Sequence, residues 1–320
     1  MTKTKIWLIV AASLSALGLL LAVGVMAVNN WDLGGLSTTK FVTNTHEITE
    51  EFSDIFIGVR TADIEILPSD DGKVKVICTE QEKLFHSVTV ENGVLEISLV
   101  DSRKWYNHIS LFSFDSSKIT LYLPEGEYGH LKIRGSTGFV KTAKNFTFGG
   151  IDILLSTGNT ELLSSARGLI EVEANTGDIS LENITAGELA LTVTTGKVSL
   201  TDTAVTNDID ISVSTGKSTL EKVTCRNFSS DGSTGDIILE NLVASGRLTV
   251  ERSTGDVKFE SSDAAEIEII TDTGDVTGSF KTDKIIFADT DTGRVDVPRL
   301  TSGGRCDINT DTGNVKITIE

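Results

Sequence analysis

Proline, aromatic rings, cysteine and histidine are all scarce in this chain. Three prolines in 320 residues and 6% aromatics exclude both a Pro-rich disordered composition and an ordinary aromatic-cored globule. The many valines, isoleucines and leucines must be buried by something regular. The three cysteines, Cys78, Cys225 and Cys306, show no CxxC spacing and cannot all pair within one chain. A disulfide framework or a structural zinc site is therefore not expected, and the three read as small buried apolar residues. His46, His86, His108 and His130 are scattered without a metal-ligand spacing such as HExxH, so no metal site of the His/Cys kind is expected. Positive charge is also short: the formal net charge is −18. That balance excludes nucleic acid or an anionic lipid surface as a partner held by charge alone, and makes a cationic partner or a divalent ion more natural.

What is present begins with Lys3 and Lys5, followed by an uncharged stretch from Ile6 to Val28 that is apolar apart from Ser13 and Ser15. At about 1.5 Å per residue such a stretch crosses a hydrocarbon core about 30 Å thick. Basic residues before it, and no charge after it until Asp32, orient it N-in and C-out. Trp7 and Trp31 stand near its two ends. Val25-Met26-Ala27 resembles a small-x-small cleavage site, but the run exceeds the roughly 7 to 15 residues of a signal-peptide core. The expectation is an uncleaved signal anchor in the cell membrane, with the rest of the chain outside.

Thr-Gly then recurs in register ten times, with glycines at Gly138, Gly158, Gly177, Gly196, Gly216, Gly235, Gly255, Gly274, Gly293 and Gly313, spaced by 19 or 20 residues. Seven positions before each glycine stands Leu131, Ile151, Ile170, Leu189, Ile209, Phe228, Leu248, Ile267, Ile286 or Cys306. Two positions further on the residue is again apolar, except at Ser230. Two positions after the glycine comes Val or Ile, except at Thr160 and Ser218. Apolar residues at intervals of two mean strands. Each repeat reads as a short strand, a bend at Thr-Gly, a second short strand and a polar return. Such a unit cannot bury its own apolar face, so coils must stack in parallel. The fold class is all-β, a single-stranded β-solenoid (β-helix), preceded by one transmembrane helix. Glycine suits a bend that needs positive φ, and threonine suits a stacked β position.

A degenerate copy occurs at Thr61-Ala62, with Ile55, Ile57, Ile64 and Ile66 at the matching offsets. The solenoid is thus expected to begin near Phe52. Strand-like runs over 73–77, 87–90, 94–100 and 119–123 are expected to form longer strands or hairpins that broaden and cap the first coils. The expected organisation is an anchor over 1–28, a juxtamembrane spacer over 29–50, a capping and first-coil region over 51–130, and regular repeats over 131–320.

The opening IFIGVRTADIEIL, the segment DGKVKVICTEQEK and the repeats of the form Ser/Thr-Thr-Gly-Asp/Lys/Asn-Val/Ile-x-Leu together resemble the bacterial family of β-strand-repeat proteins called "putative adhesins", many of them LiaG-like and membrane-anchored. The resemblance spans nearly all of the exported part. It implies a β-solenoid at the cell envelope, and no activity or site residues to carry over.

Three groups of residues are candidates for function. Asp272, Asp291 and Asp311 precede Thr-Gly in the last three repeats, making DTG triplets. An aspartic-protease dyad needs two carboxylates facing across a cleft, whereas stacked corners make a column, so a calcium ion is the better candidate ligand. The stretch 101–118 is the aromatic-rich one outside the anchor, and Trp105, Tyr106 and Phe112 are its candidate partner-binding residues. An enzyme on a β-helix needs basic residues, a metal or aromatic sugar platforms. From Leu131 onward there is no His, Tyr or Trp, and the arginines recur at no fixed offset. The expectation is a non-enzymatic adhesin-like, scaffold or envelope-stress accessory protein, with no cofactor, contacting an envelope protein or surface material. The alternative is a calcium- or ligand-binding sensor using the Asp-rich corners.

Overall fold

The structure, a computed structural model, describes residues 3–28, 41–102 and 117–320. The N-terminal helix, Lys3–Val28, includes an apolar stretch within Thr4–Val28 that is not buried against the rest of the chain. It is long and apolar enough to cross a membrane. The remainder is β structure.

In the repeat region, each coil is named here by the glycine of its corner. The Gly158 coil, for example, consists of strands Phe146–Thr157 and Thr160–Leu162, and Ser165–Ala166 opens the next coil by stacking on Thr147 and Phe148. The strands pair in parallel, in register, with their equivalents in adjacent coils. One inner column runs Leu131, Ile151, Ile170, Leu189, Ile209, Phe228, Leu248, Ile267. A second, on the other side of the corner, runs Val140, Thr160, Ile179, Val198, Ser218, Ile237, Val257. These inner residues are buried, so the period-two pattern of the sequence is the core itself. Thr160 and Ser218, the two departures, leave their buried hydroxyls without a partner. Ser230 is explained by its neighbour. Arg252 of the next coil turns inward, its Nη2 donating to Ser230 Oγ at 2.7 Å and its Nη1 to Glu251 O at 2.8 Å, and Gly232 leaves room for the guanidinium.

The Thr-Gly corner is fixed twice over. Gly216 has φ +148°, and a Cβ there would lie 1.7 Å from Gly196 O of the coil below; neither condition admits another residue. The position after the glycine is a polar ladder. Asn159 Oδ1 accepts from the Asp178 N–H, and Asp178 Oδ1 accepts from the Lys197 N–H. The same relation links Asp236, Asp256, Asp275 and Asn314 in turn. The recurrence of Asp and Asn after the glycine is thus a backbone-satisfying device. A second corner, six residues on, is left-handed at Asn183, Asp202, Lys222, Asn241 and Ser261, with φ 46° to 53°.

At both ends the coils do not stack in chain order, which corrects the expectation of simple succession. The Thr61-Ala62 copy does form a coil. Ile55 and Ile57 pair with Leu131 and Ile133 of the Gly138 coil, and Ile64 pairs with Val140. On its other side, however, lie strands Val94–Asp101 and Ser117–Leu123, with Ile57 beside Ile97 and Ile64 beside Ile119. A later stretch of chain has passed beneath the first coil. The C-terminal end repeats the device: the Gly313 coil, last in the chain, pairs with the Gly274 coil on one side and the Gly293 coil on the other. The first and last coils are therefore both interior layers.

Beyond the outermost N-terminal layer the ladder turns antiparallel. Val74–Gln81 pairs with Ser117–Leu123, Leu84–Glu91 with Val94–Asp101, and Phe41–Ile48 with Val74–Gln81. Phe41–Ile48 lies inside the stretch expected as a spacer. Its alternation (Val42, Asn44, His46, Ile48 inward) was masked by the two polar members, which face a polar patch of the cap.

Candidate functional site

The two ends of the solenoid differ in how they finish. At the N-terminal end the last parallel layer is sealed: Leu95, Ile97, Ile119 and Leu121 are each 0% exposed. At the C-terminal end the Gly293 coil is the last layer, and among the described residues no strand pairs with the outer edge of Lys284–Thr292. Its inner residues Ile286, Ala288 and Val297 are only partly buried, and Val295 is 44% exposed. The chain enters the β body through Phe41–Ile48 at the sealed end, so the open edge lies at the other end.

On the outer face of that open end stands Phe287, 56% exposed. It belongs to an outward column, Glu268, Asp307, Phe287. Arg305 Cζ lies 5.3 Å from the Phe287 ring centroid, a cation–π distance. The same guanidinium holds Asp307 through Nε at 2.5 Å and Nη2 at 2.9 Å. That hydrogen bond keeps the pKa of the Asp307 carboxyl below the usual carboxylate range against the opposing effect of burial, and raises the pKa of the Arg305 guanidinium above its ordinary value. Arg247 pairs nearby with Glu266 at 3.0 Å and Glu268 at 3.5 Å. A shallow groove of 550 Å³ runs between Ile270, Phe287, Arg305 and Asn309. Aromatic and arginine side chains held in fixed geometry are the residue types on which protein contacts concentrate. The sequence did carry a signal for it: among the ten regular Thr-Gly repeats, Phe287 is the one aromatic at the position directly after the first inner residue.

The corner aspartates are brought together in part. Thr271 and Thr273 pair with Thr310 and Thr312, and Thr290 and Thr292 pair with the same two residues. Asp311 therefore sits between Asp272 and Asp291 in one exposed column. Among the described residues they do not form a trio of ligand atoms within 4.8 Å of one another; the one trio that does is Cys78, Glu80 and His86. Trp105, Tyr106 and Phe112 lie outside the described residues. The three cysteines are buried, and burial pushes each thiol up to about 12, so none is a ready nucleophile.

Solved structures with which the chain can be superposed include an adhesin-type protein from Parabacteroides distasonis, described as a "putative adhesin" (16% identity, 88% of this chain and 98% of that one, TM-score 0.49). A second "putative adhesin", from Parabacteroides merdae, has 13% identity over 88% and 98%, with TM-score 0.49. A "putative lipid binding protein" from Parabacteroides distasonis has 20% identity over 72% and 96%, with TM-score 0.48. Among curated proteins none matches. The family assignment rests on the sequence, whose residues 52–217 and 202–320 both match one family model; the match does not extend to the LiaG-like subdivision. With most of its length covered in this way, the chain belongs to the Toastrack DUF4097 family.

Proposed function

We propose that the protein is a membrane-anchored, non-enzymatic, adhesin-like rod that stands outside the cell and makes contact through its open end. The observation that carries this reading is the contrast between a sealed end, where the chain arrives from the apolar helix, and an open end bearing Phe287 beside Arg305. Lys3 and Lys5 before the helix orient it N-in, which puts the β body outside. The partner is an envelope protein or surface material. The acidic body keeps the rod from settling on anionic surfaces, and leaves the tip as the apolar, aromatic place to bind.

The test is photo-crosslinking in intact cells, with a photoreactive residue at Phe287 in one variant and at the outward, exposed Glu173 of the mid-body in another. Discrete adducts at Phe287 and none at Glu173 are expected. Equal profiles at the two positions would sink the tip as the contact site. Protease shaving of the same cells should cut the β body; complete protection would overturn the orientation.

The consecutive placing of Asp272, Asp311 and Asp291 favours a second reading, calcium binding at the corners. It predicts a calcium-dependent rise in melting temperature that disappears when the three become Asn.

A further inference from the structure

The antiparallel cap holds a buried group that the rod reading does not use. Cys78 and Glu80 stand two residues apart on Val74–Gln81 and so share a face. His86 comes from the next strand, Leu84–Glu91, across the turn closed by Gln81 and Leu84. Cys78 and Glu80 are 0% exposed and His86 2%, and one ligand atom from each lies within 4.8 Å of the others.

The polar accounting of this pocket is incomplete. Glu80 Oε2 accepts from the His86 backbone N–H and meets His86 Nδ1, both at 2.7 Å. Glu80 Oε1 accepts from Asn44 Nδ2 at 2.7 Å. His86 Nε2 is buried with no partner, and so is Nε2 of His46. His46 lies on the adjacent strand, two residues from Asn44, which is paired with Cys78. An orphaned ring nitrogen in a buried pocket is costly, because it has lost its hydrogen bond to water and gained none in return. A carboxylate buried where it cannot reach water is also costly unless a cation neutralises it. A thiolate, an imidazole and a carboxylate are together the donors that suit zinc and its spectroscopic stand-in cobalt. Calcium and magnesium take oxygen donors alone.

We propose that Cys78, Glu80 and His86 form a buried transition-metal site of the zinc type, which clamps the cap hairpin onto the end of the solenoid. The metal would replace the Cys78 proton, neutralise Glu80 and give a histidine nitrogen the partner it lacks. Being enclosed, the site loads as the cap folds.

The test uses the full-length chain, expressed in zinc- or cobalt-supplemented medium and purified in detergent without chelator. The expected result is stoichiometric metal, and in the cobalt form a thiolate-to-cobalt charge-transfer absorption. Cys78→Ser and His86→Gln should lose both metal and band, while Cys225→Ser and Cys306→Ser keep them. Removing zinc from the wild type by unfolding in chelator and refolding should lower its melting temperature to that of Cys78→Ser. Should Cys78→Ser fail to fold, His86→Gln and the two cysteine controls still decide the matter. Wild-type protein without stoichiometric metal, or a cobalt band that survives in Cys78→Ser, would overturn the proposal and leave Glu80 and His86 as a metal-free buried pair.

Discussion

The two ends of the rod solve one problem in different ways. Both must stop a parallel ladder that would otherwise go on templating strands, and both lock their terminal coil by threading a neighbouring stretch of chain beyond it. The open-end lock contains a buried ion pair, Asp263 with Lys284, 2.5 Å apart, and the cap beyond the N-terminal lock holds the buried hydrogen-bonded pair Glu80 and His86. Only the N-terminal end then adds antiparallel strands that bury the last apolar layer. The C-terminal end leaves that layer half-covered, with charged residues (Asp289, Asp291, Arg294, Asp296) and Pro298 flanking it. Such residues blunt an edge against chance pairing while leaving it accessible. The difference teaches that one end is closed by further strands while the other keeps an accessible edge.

The largest effects should come from breaking these two buried pairs. Asp263→Ala strands the buried Lys284 ammonium and should cost about 3–5 kcal/mol in urea unfolding; a cost near zero would mean that the open end carries no structural load. Glu80→Ala removes the acceptor of Asn44 and His86 and should cost a similar amount, about 3 kcal/mol or more. A mid-body break gives the reference: Gly216→Ala should cost at least about 2 kcal/mol. If it costs much more than either pair, the corners and not the ends limit stability. Thr160→Val, which removes an orphaned hydroxyl from the second inner column at nearly constant volume, should stabilise by about 1 kcal/mol. The smallest effect on folding belongs to Phe287→Ala, within about 0.5 kcal/mol, together with loss of crosslinking from a photoreactive residue placed beside it at Asn309. Loss of stability there without loss of contact would reverse the roles assigned to the two ends.

Much of the body was legible because its forces are local and repeated. The inner columns, the glycine corner and even the Thr61-Ala62 coil followed from apolar spacing. The rest was hidden for identifiable reasons. Phe41–Ile48 was missed because Asn44 and His46 interrupt an apolar alternation, and they do so to face Glu80 and its neighbours. Cys78 looked like a small apolar residue, as Cys225 and Cys306 do within their columns; only the hairpin pairing brings it beside Glu80 and His86, which no linear ligand spacing announces. Phe287 was visible as an odd aromatic, but its exposure depends on its coil being the outermost one.

By itself the sequence determined the period of the coil, the residues that point inward, the glycine at each corner and the apolar helix at the start. Those depend on alternation and on backbone conformation, which act within one repeat. Only the tertiary structure decided which coil lies against which at the ends. Because every coil presents the same parallel ladder of backbone groups and the same aliphatic columns, each is an acceptable neighbour for any other. The choice falls to the connecting strands and to buried contacts such as Asp263 with Lys284, which stand in different coils and meet only once the layers have been ordered.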